Sequence, residues 1–510
     1  MNAVSLPRNV MSNAAGFVVS AAIAFAMAPF LIRTLGHARY GAWAVIGELT
    51  GYYGLLDLGM RGAVTILGAR YLAQSRNDRV RELISSAFWF LGTIATVGFT
   101  VMLVVVFGVW RPAESSSISP HEFLPALIIM AFLVAAGLPL DVFAGILNSA
   151  RRMDIPNALE LAGRVVSALG IWLVVLIGGG LVGMSAVLMV VKLAVWLACG
   201  YLALRVVEGI SLRPAWASKE RLRELASFGS KTAVINCARI VTDRTDLIIV
   251  GLLFGVRWVV FYSIARLLIE YTISMIGSLT LAFTAHFAHL HAGDRQEELC
   301  RLLSAGTRIC ACLSLAAVAI LLSFGGPFIG LWVGPEFITG PWTMRTDVVL
   351  VLLLIGFTPR LAQSLAWQLI LASQKIGGLT TAIVAESIVK LGLLLLIRSA
   401  YGLAGVAITS VVPMLVTSLL VIPRQVLRVS GLTPAQYLRC FERPAIVGVV
   451  VLTVGILLTL VWPPTSWAVL VLDVALTGMV AILGLVALGL TADERRRIWE
   501  LWRAVSMKFA

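Results

Sequence analysis

Apolar runs long enough to cross a bilayer recur along the whole of this 510-residue chain, and no other feature restricts its fold so severely. The hydrocarbon layer is about 30 Å thick and offers backbone N–H and C=O groups no water, so each crossing takes a helix of about 20 residues that satisfies its own backbone. Composition points to the same solvent. With 59% hydrophobic and 13% charged residues, and a mean hydropathy of +0.95, a soluble globule is excluded. The chain is therefore expected to be an all-α polytopic membrane protein with about 14 transmembrane helices. They fall at residues 10–33, 42–69, 83–110, 123–149, 158–178, 181–205, 226–254, 258–289, 301–324, 347–373, 376–398, 402–423, 444–462 and 467–490. Gly178, Gly179 and Gly180, and likewise Pro463 and Pro464, supply tight turns between antiparallel neighbours.

The chain also repeats itself at a spacing of about 220 residues, the mark of a duplicated, transporter-like scaffold. Leu35, Gly36, Trp43 and Ala44 align with Phe254, Gly255, Tyr262 and Ser263. Pro139 aligns with Pro359, and the run Gly180, Leu181, Val182, Gly183 aligns with Gly402, Leu403, Ala404, Gly405. Asn77, Asp78 and Arg79 through Leu83 correspond to Gly293, Asp294 and Arg295 through Leu299 within a few residues. Each copy holds six helices, and an even number brings the second copy in from the same side. The copies are then parallel, related by an axis along the membrane normal, with two six-helix bundles around a central cavity. The expected divisions are residues 1–212 for the first repeat, 213–430 for the second, and 431–510 for two additional helices and a basic tail. The added helices carry one intramembrane charge, Asp473.

Orientation follows from the residues that flank the spans. With the N-terminus inside, the cytoplasmic segments hold about 24 Lys and Arg and the opposite loops about 6, a strong positive-inside bias. Arg70, Arg76, Arg79 and Arg81 share one cytoplasmic loop, and Arg213, Lys219, Arg221 and Arg223 the central one. Arg424, Arg428, Arg439 and Arg443 occupy another, and Arg495, Arg496 and Arg497 lie in the tail, so both termini are expected in the cytoplasm. The net charge of +14 is thereby assigned to topology and anionic lipid, not to nucleic acid. Asn9–Leu35 is too long for the apolar core of a signal peptide, so the first helix is expected to stay. The six cysteines, Cys199, Cys237, Cys300, Cys310, Cys312 and Cys440, have no disulfide or zinc spacing and read as small core residues.

Particular residues also resemble a family. Asn13, Gly16, Pro29, Leu35, Gly36, Tyr40 and Gly41, followed by Asp57, Leu58 and Gly59, resemble the opening of Wzx-type polysaccharide flippases. These form the oligosaccharide-lipid branch of the superfamily that also holds the multidrug (MATE) exporters. Asp246–Gly251, then Phe254, Gly255, Tyr262 and Ser263, resemble the family's seventh-to-eighth helix junction; Val260 departs from it where a glycine is expected. The likeness covers essentially the whole chain. It implies a non-enzymatic flippase that moves a polyprenyl-diphosphate-linked oligosaccharide from the cytoplasmic to the outer leaflet of a bacterial inner membrane, for O-antigen, capsule or exopolysaccharide synthesis. It further implies contact with membrane lipids, with a polysaccharide polymerase and a chain-length regulator as candidate partners. No cofactor is expected beyond H+ or Na+ as a coupling ion.

A diphosphate cannot cross hydrocarbon bare, so such a protein must bury cations and donors. Five opposite-charge pairs stand at i, i+4 within the spans: Asp57 and Arg61, Glu160 and Arg164, Arg239 and Asp243, Arg266 and Glu270, Glu386 and Lys390. On one reading each pair only neutralises itself so that its helix can insert. On the other, the carboxylate holds the cation until diphosphate displaces it, and an ion on the freed carboxylate couples transport to a gradient. By depth, Asp57, Lys192, Arg239, Asp243, Arg360, Glu386 and Lys390 fall near the midplane, whereas Glu160 and Arg164 lie closer to the cytoplasm. Arg239, Asp243 and Asp246 share a helix face. The candidate substrate contacts are Arg61, Arg239, Arg266, Arg360 and Lys390, because guanidinium grips phosphate oxygens in pairs. Asp57, Asp243, Glu270 and Glu386 are the candidate ion-coupling groups.

Several motifs point elsewhere. Pro29, Pro139, Pro359 and Pro413 lie inside spans and permit either static kinks or gating bends. His286, His289 and His291 cluster at one helix end without further ligands, so no metal is expected. Gly229, Ser230, Lys231 and Thr232 look like the tail of a phosphate loop but lack its strand and upstream glycine. Trp110, Trp332, Trp342 and Trp462 sit at span ends, as in an interfacial belt. An ion-coupled drug antiporter of the same superfamily is the second reading, though it would want a more acidic and aromatic cavity. A membrane polymerase is the third, and it would need larger outer loops than Arg111–Glu122 and Gly325–Arg345.

Overall fold

The computed structural model describes residues 5–52, 59–109, 119–207, 210–292, 295–373, 377–397 and 401–490. These residues form helices and no strand. In chain order the helices are α1 (Ser5–Gly51), α2 (Met60–Ala73), α3 (Asn77–Val109), α4 (Pro120–Ser149), α5 (Asp154–Leu176), α6 (Gly180–Val206), α7 (Lys219–Phe254) and α8 (Val256–Ala292). There follow α9 (Gln296–Trp332), α10 (Thr346–Ala362), α11 (Ser364–Ala372), α12 (Gly377–Ile397), α13 (Gly402–Val416), α14 (Ile422–Ser430), α15 (Pro434–Val461) and α16 (Trp467–Gly484).

Among the described residues, eleven helices are long and apolar enough to span a membrane, or twelve if α10 and α11 count as one broken span. Two expected spans are not among them. The span expected at 226–254 is α7, a 36-residue helix whose segment Arg239–Asp246 carries four charges. Of the span expected at 42–69, the second arm of α1, which ends at Gly51, and the 14-residue α2 are described, and residues 53–58 lie outside the described residues.

Glycines set the breaks. Gly36 kinks α1 with φ 78° and ψ 168°, and its repeat partner Gly255 ends α7 with φ 90° and ψ 158°. Gly180 and its partner Gly402 open α6 and α13 with φ of 55° and 56°. Side chains with a Cβ rarely adopt such angles, so the aligned glycines do the same backbone task in both copies.

The chain forms two compact units, one of residues Val18–Ser263 and one of Met1–Phe17 with Ile264–Ala510. In the first, Met60, Val64 and Leu67 of α2 pack with Leu83, Ile84 and Leu91 of α3 and with Val142, Ile146 and Leu147 of α4. One end of this unit is tied by Arg221 of α7, which is only 4% exposed. Its guanidinium meets Glu220 and Glu224, stands 3.4 Å from Glu82 of α3, and donates to the Tyr71 hydroxyl of α2 at 2.6 Å. Burial and the neighbouring Glu224 push the Tyr71 phenol up to about 12, so it stays protonated and donates to Glu224. Arg221 thus joins three helices.

In the second unit, α9 packs along α15 and α10. The helix axis turns by 50° between α10 and α11. Pro359 lies four residues before the break at Gln363, and its missing N–H leaves the turn that precedes it without one hydrogen bond. Its repeat partner Pro139 sits within α4, which continues unbroken as a 30-residue helix. Gln363 fills the break: its amide donates to the carbonyls of Pro359 (3.1 Å) and Ser418 (2.8 Å), and its oxygen accepts from the Tyr437 hydroxyl (3.0 Å). Ser418 belongs to a π-helical turn, Thr417–Val421, just after Pro413. One amide therefore stitches together two interrupted helices and α15.

The closest helix approach in the first unit is made at Gly41 of α1, where a Cβ would collide with the carbonyl group of Val256. Backbone cannot give way as a side chain can, so Gly41→Ala is expected to cost about 1–3 kcal/mol. Gly47, whose Cβ position is empty, provides the control: Gly47→Ala should leave the thermal unfolding curve in detergent unchanged or slightly raised, while Gly41→Ala lowers it.

Candidate functional site

The membrane-embedded charges pair mostly between helices. In the first unit, Arg61 of α2 donates to Asp141 Oδ2 of α4 at 2.7 Å, and the Trp196 indole of α6 donates to Asp141 Oδ1 at 3.0 Å. Gly137, one turn before Asp141, makes room for the Trp196 ring. Lys192 of α6 reaches Glu160 of α5 at 2.5 Å, while Arg164 donates to the Ser20 hydroxyl of α1 at 2.8 Å. Arg244 of α7 meets Glu48 of α1 at 3.0 Å, and next to it Tyr52 and Thr245 share a hydrogen bond of 2.6 Å. Asp246 is buried and accepts from the equally buried Tyr262 hydroxyl at 2.9 Å, closing the α7–α8 hairpin.

In the second unit, Arg360 of α10 donates to Glu386 of α12 at 3.3 Å and lies over the Trp367 ring, 5.7 Å from its centre. The Glu386 side chain is 1% exposed, and its other oxygen has no hydrogen-bond partner. Lys390, one turn further along α12, is also fully buried.

Of the expected i, i+4 pairs, Arg266 meets Glu270 at 2.8 Å and, loosely, Arg239 meets Asp243 at 4.0 Å. Asp57 lies outside the described residues. Glu160 and Glu386 take cations from neighbouring helices. Interhelical geometry can bring two charges into contact without bending either side chain along its own helix surface, which is why it prevails here.

Exposure then separates the candidates. Arg61 and Arg239 have side chains 56% and 52% exposed, and their carboxylate partners are partly exposed as well. Arg266, Arg360 and Lys390 are largely covered, with Glu270 half-exposed. Asp246, which shares a helix turn pattern with Arg239 and Asp243, is instead buried as a structural acceptor.

Sequence reasoning passed over Asp141 and Glu48. Neither has a cation four residues away, and both owe their partners to another helix. The available signal was a lone acid inside an apolar span, in Asp141's case two residues after a proline. Trp332, expected at an interface, is buried beside Phe328, whereas Trp342 and Trp462 are exposed. Gly229–Thr232 lies inside the helix α7 and so has no loop with which to cradle phosphate. His286 is exposed on α8; the side chains of His289 and His291, and Trp110 altogether, lie outside the described ones.

A family described as "Polysaccharide biosynthesis protein" matches residues 30–339. The chain is similar to a "Putative O-antigen transporter" of Shigella flexneri, 23% identical over 423 residues that cover 82% of this chain and 97% of that one. Among solved structures it is similar to "Lipid II flippase MurJ, inward closed conformation", with a TM-score of 0.69, 12% identity, and coverage of 92% and 97%. It is also similar to an inward-facing multidrug resistance MATE family transporter of the MOP superfamily, with a TM-score of 0.64, 13% identity, and coverage of 82% and 94%. At such identities these structures establish the fold.

Glu386 sets the stability test for this region. Arg360→Ala would take away the guanidinium that meets this buried carboxylate and is expected to cost about 3–5 kcal/mol. Adding Glu386→Gln should recover more than half of the lost melting temperature in detergent, because the charge that needed the guanidinium is gone.

Proposed function

This chain belongs to the polysaccharide biosynthesis protein family, and on that footing we propose that it is a flippase for a polyprenyl-diphosphate-linked oligosaccharide. It is a multi-pass membrane transporter, not an enzyme. In this reading it works in a bacterial inner membrane with both termini in the cytoplasm. The two six-helix repeats, 1–212 and 213–430, alternate access around a central path, and 431–510 adds two helices and the tail. Likeness to an O-antigen transporter and to a lipid II flippase supports the substrate class.

The observation that carries the proposal is the exposure of Arg61 on α2 and Arg239 on α7, in segments that the sequence reading puts at membrane depth. A guanidinium turned toward lipid tails is costly. Side chains this exposed at that depth therefore face a polar path, and a path lined by guanidinium suits an anion. Arg61 is held by Asp141 and Arg239 by Asp243, each through an ion pair that an incoming diphosphate can replace with bidentate contacts. Arg266, Arg360 and Lys390 are the proposed contacts from the second unit. The released carboxylates, with Asp57, Glu270 and Glu386, are proposed to accept H+ or Na+. A polymerase and a chain-length regulator would take the delivered unit.

The decisive experiment deletes the gene and maps the lipid-linked oligosaccharide in inverted and right-side-out vesicles. Completed units facing the cytoplasm, with surface polysaccharide lost, are the expected result; units reaching the outer leaflet normally would show the assignment to be wrong for that glycan. Complementation with Arg239→Gln should then restore about 10- to 100-fold less flipping than wild type, the loss expected when one charge-assisted contact is removed.

A further inference from the structure

Helix α16 carries one ionisable residue, Asp473, and it is in an unusual position. It is 2% exposed, one carboxylate oxygen is buried with no hydrogen-bond partner, and no ion pair reaches it among the described residues. Four residues on, and on the same helix face, the Thr477 hydroxyl is fully buried and also without a partner. A third orphan, the buried Ser323 hydroxyl, belongs to α9, which packs on α16.

The helix register brings the three together. Gly489, in the π-helical turn Leu485–Gly489 after α16, lies against Cys312 of α9, and Trp467 at the start of α16 meets Phe328 of α9 with ring centres 5.8 Å apart. Ser323 and the Asp473–Thr477 turn lie between these two anchors, at the same level. The third wall is Gly455 of α15, whose Cβ would run into the Ser323 hydroxyl, so the backbone there closes directly over that hydroxyl.

Nothing titratable faces this cluster from the packed elements. Ser314–Trp332 of α9, Ala445–Val461 of α15 and the remainder of Trp467–Gly489 contain no other ionisable residue; beyond them stand Arg443 of α15 and Cys312 and Arg308 of α9, the last occupied with the Gly489 carbonyl at 2.7 Å. An ionised carboxylate in so apolar a setting, without a partner, is costly enough that it takes up a neutralising ion. The oxygens of a carboxylate and two hydroxyls are hard ligands suited to a small monovalent cation.

We propose that Asp473, with Thr477 and Ser323, is a membrane-buried site for a monovalent cation, H+ or Na+, lying outside the two six-helix repeats. The bound ion neutralises the carboxylate and lets its oxygens and the two hydroxyls satisfy one another. Occupancy of the site thereby sets how firmly α16 is held on α9. This site is separate from the candidate coupling carboxylates and does not depend on the substrate reading above.

The test uses the full-length purified protein in detergent, treated with the apolar carboxyl reagent dicyclohexylcarbodiimide, with labelling at Asp473 read by peptide mass spectrometry. Labelling that falls about tenfold per pH unit once the carboxyl ionises, and is indifferent to sodium, identifies a proton site. Labelling suppressed when sodium chloride replaces choline chloride at fixed ionic strength identifies a sodium site. Labelling unaffected by pH or sodium, or absent throughout, overturns the proposal. Thermal unfolding gives an independent reading. The wild type should gain several degrees with the ion that the labelling assigns to Asp473, and Asp473→Asn should lose that gain while still folding; an equal gain in both proteins overturns the proposal.

Discussion

Every charge placed within a membrane has to be neutralised or given a polar path, and the structure of this chain is largely a set of answers to that requirement. In the first unit the answers double as cross-links. Arg61 with Asp141 joins α2 to α4, Lys192 with Glu160 joins α6 to α5, and Arg244 with Glu48 joins α7 to α1. Helices in lipid gain little from the hydrophobic effect when they associate, so close packing and polar contacts carry more of the specificity. The ion pairs therefore help fix which helix neighbours which.

The same requirement separates covered charge from open charge. Asp246 gives its carboxylate to a buried tyrosine, and Arg221 is buried among three acids and a phenol. Neither is open to a ligand. Arg61 and Arg239 are paired yet more than half exposed, which leaves their guanidinium groups open to exchange one anion for another. Asp473 marks the opposite extreme, an acid in apolar surroundings for which α9 and α15 supply no cation.

Helix interruptions are the second organising theme. Breaks at Gly36 and Gly255 reproduce one backbone conformation in both copies, whereas Pro139 and Pro359 do not reproduce a bend. A glycine at positive φ makes a conformation available that other residues rarely reach. A proline only removes a hydrogen bond, and whether the helix then turns depends on what receives the freed groups. At the second-unit break Gln363 ties the carbonyls of Pro359 in α10 and of Ser418 in the π-helical turn to Tyr437 of α15. That connection crosses from the duplicated helices to an added one.

Sequence by itself determined the solvent and the all-helical class, because hydropathy and span length are properties of a single strand of residues. It also singled out the glycines whose φ is positive in both copies. Only the tertiary structure decided which carboxylate each cation meets. The i, i+4 rule found Arg266 with Glu270, a contact within one helix, but it missed Asp141, Glu48 and the Arg360–Glu386 pair. Those partners come from helices up to 196 residues apart in sequence. Their meeting depends on the register of one helix against another, and that register is set by glycine contacts, bends and packed side chains that no local spacing records.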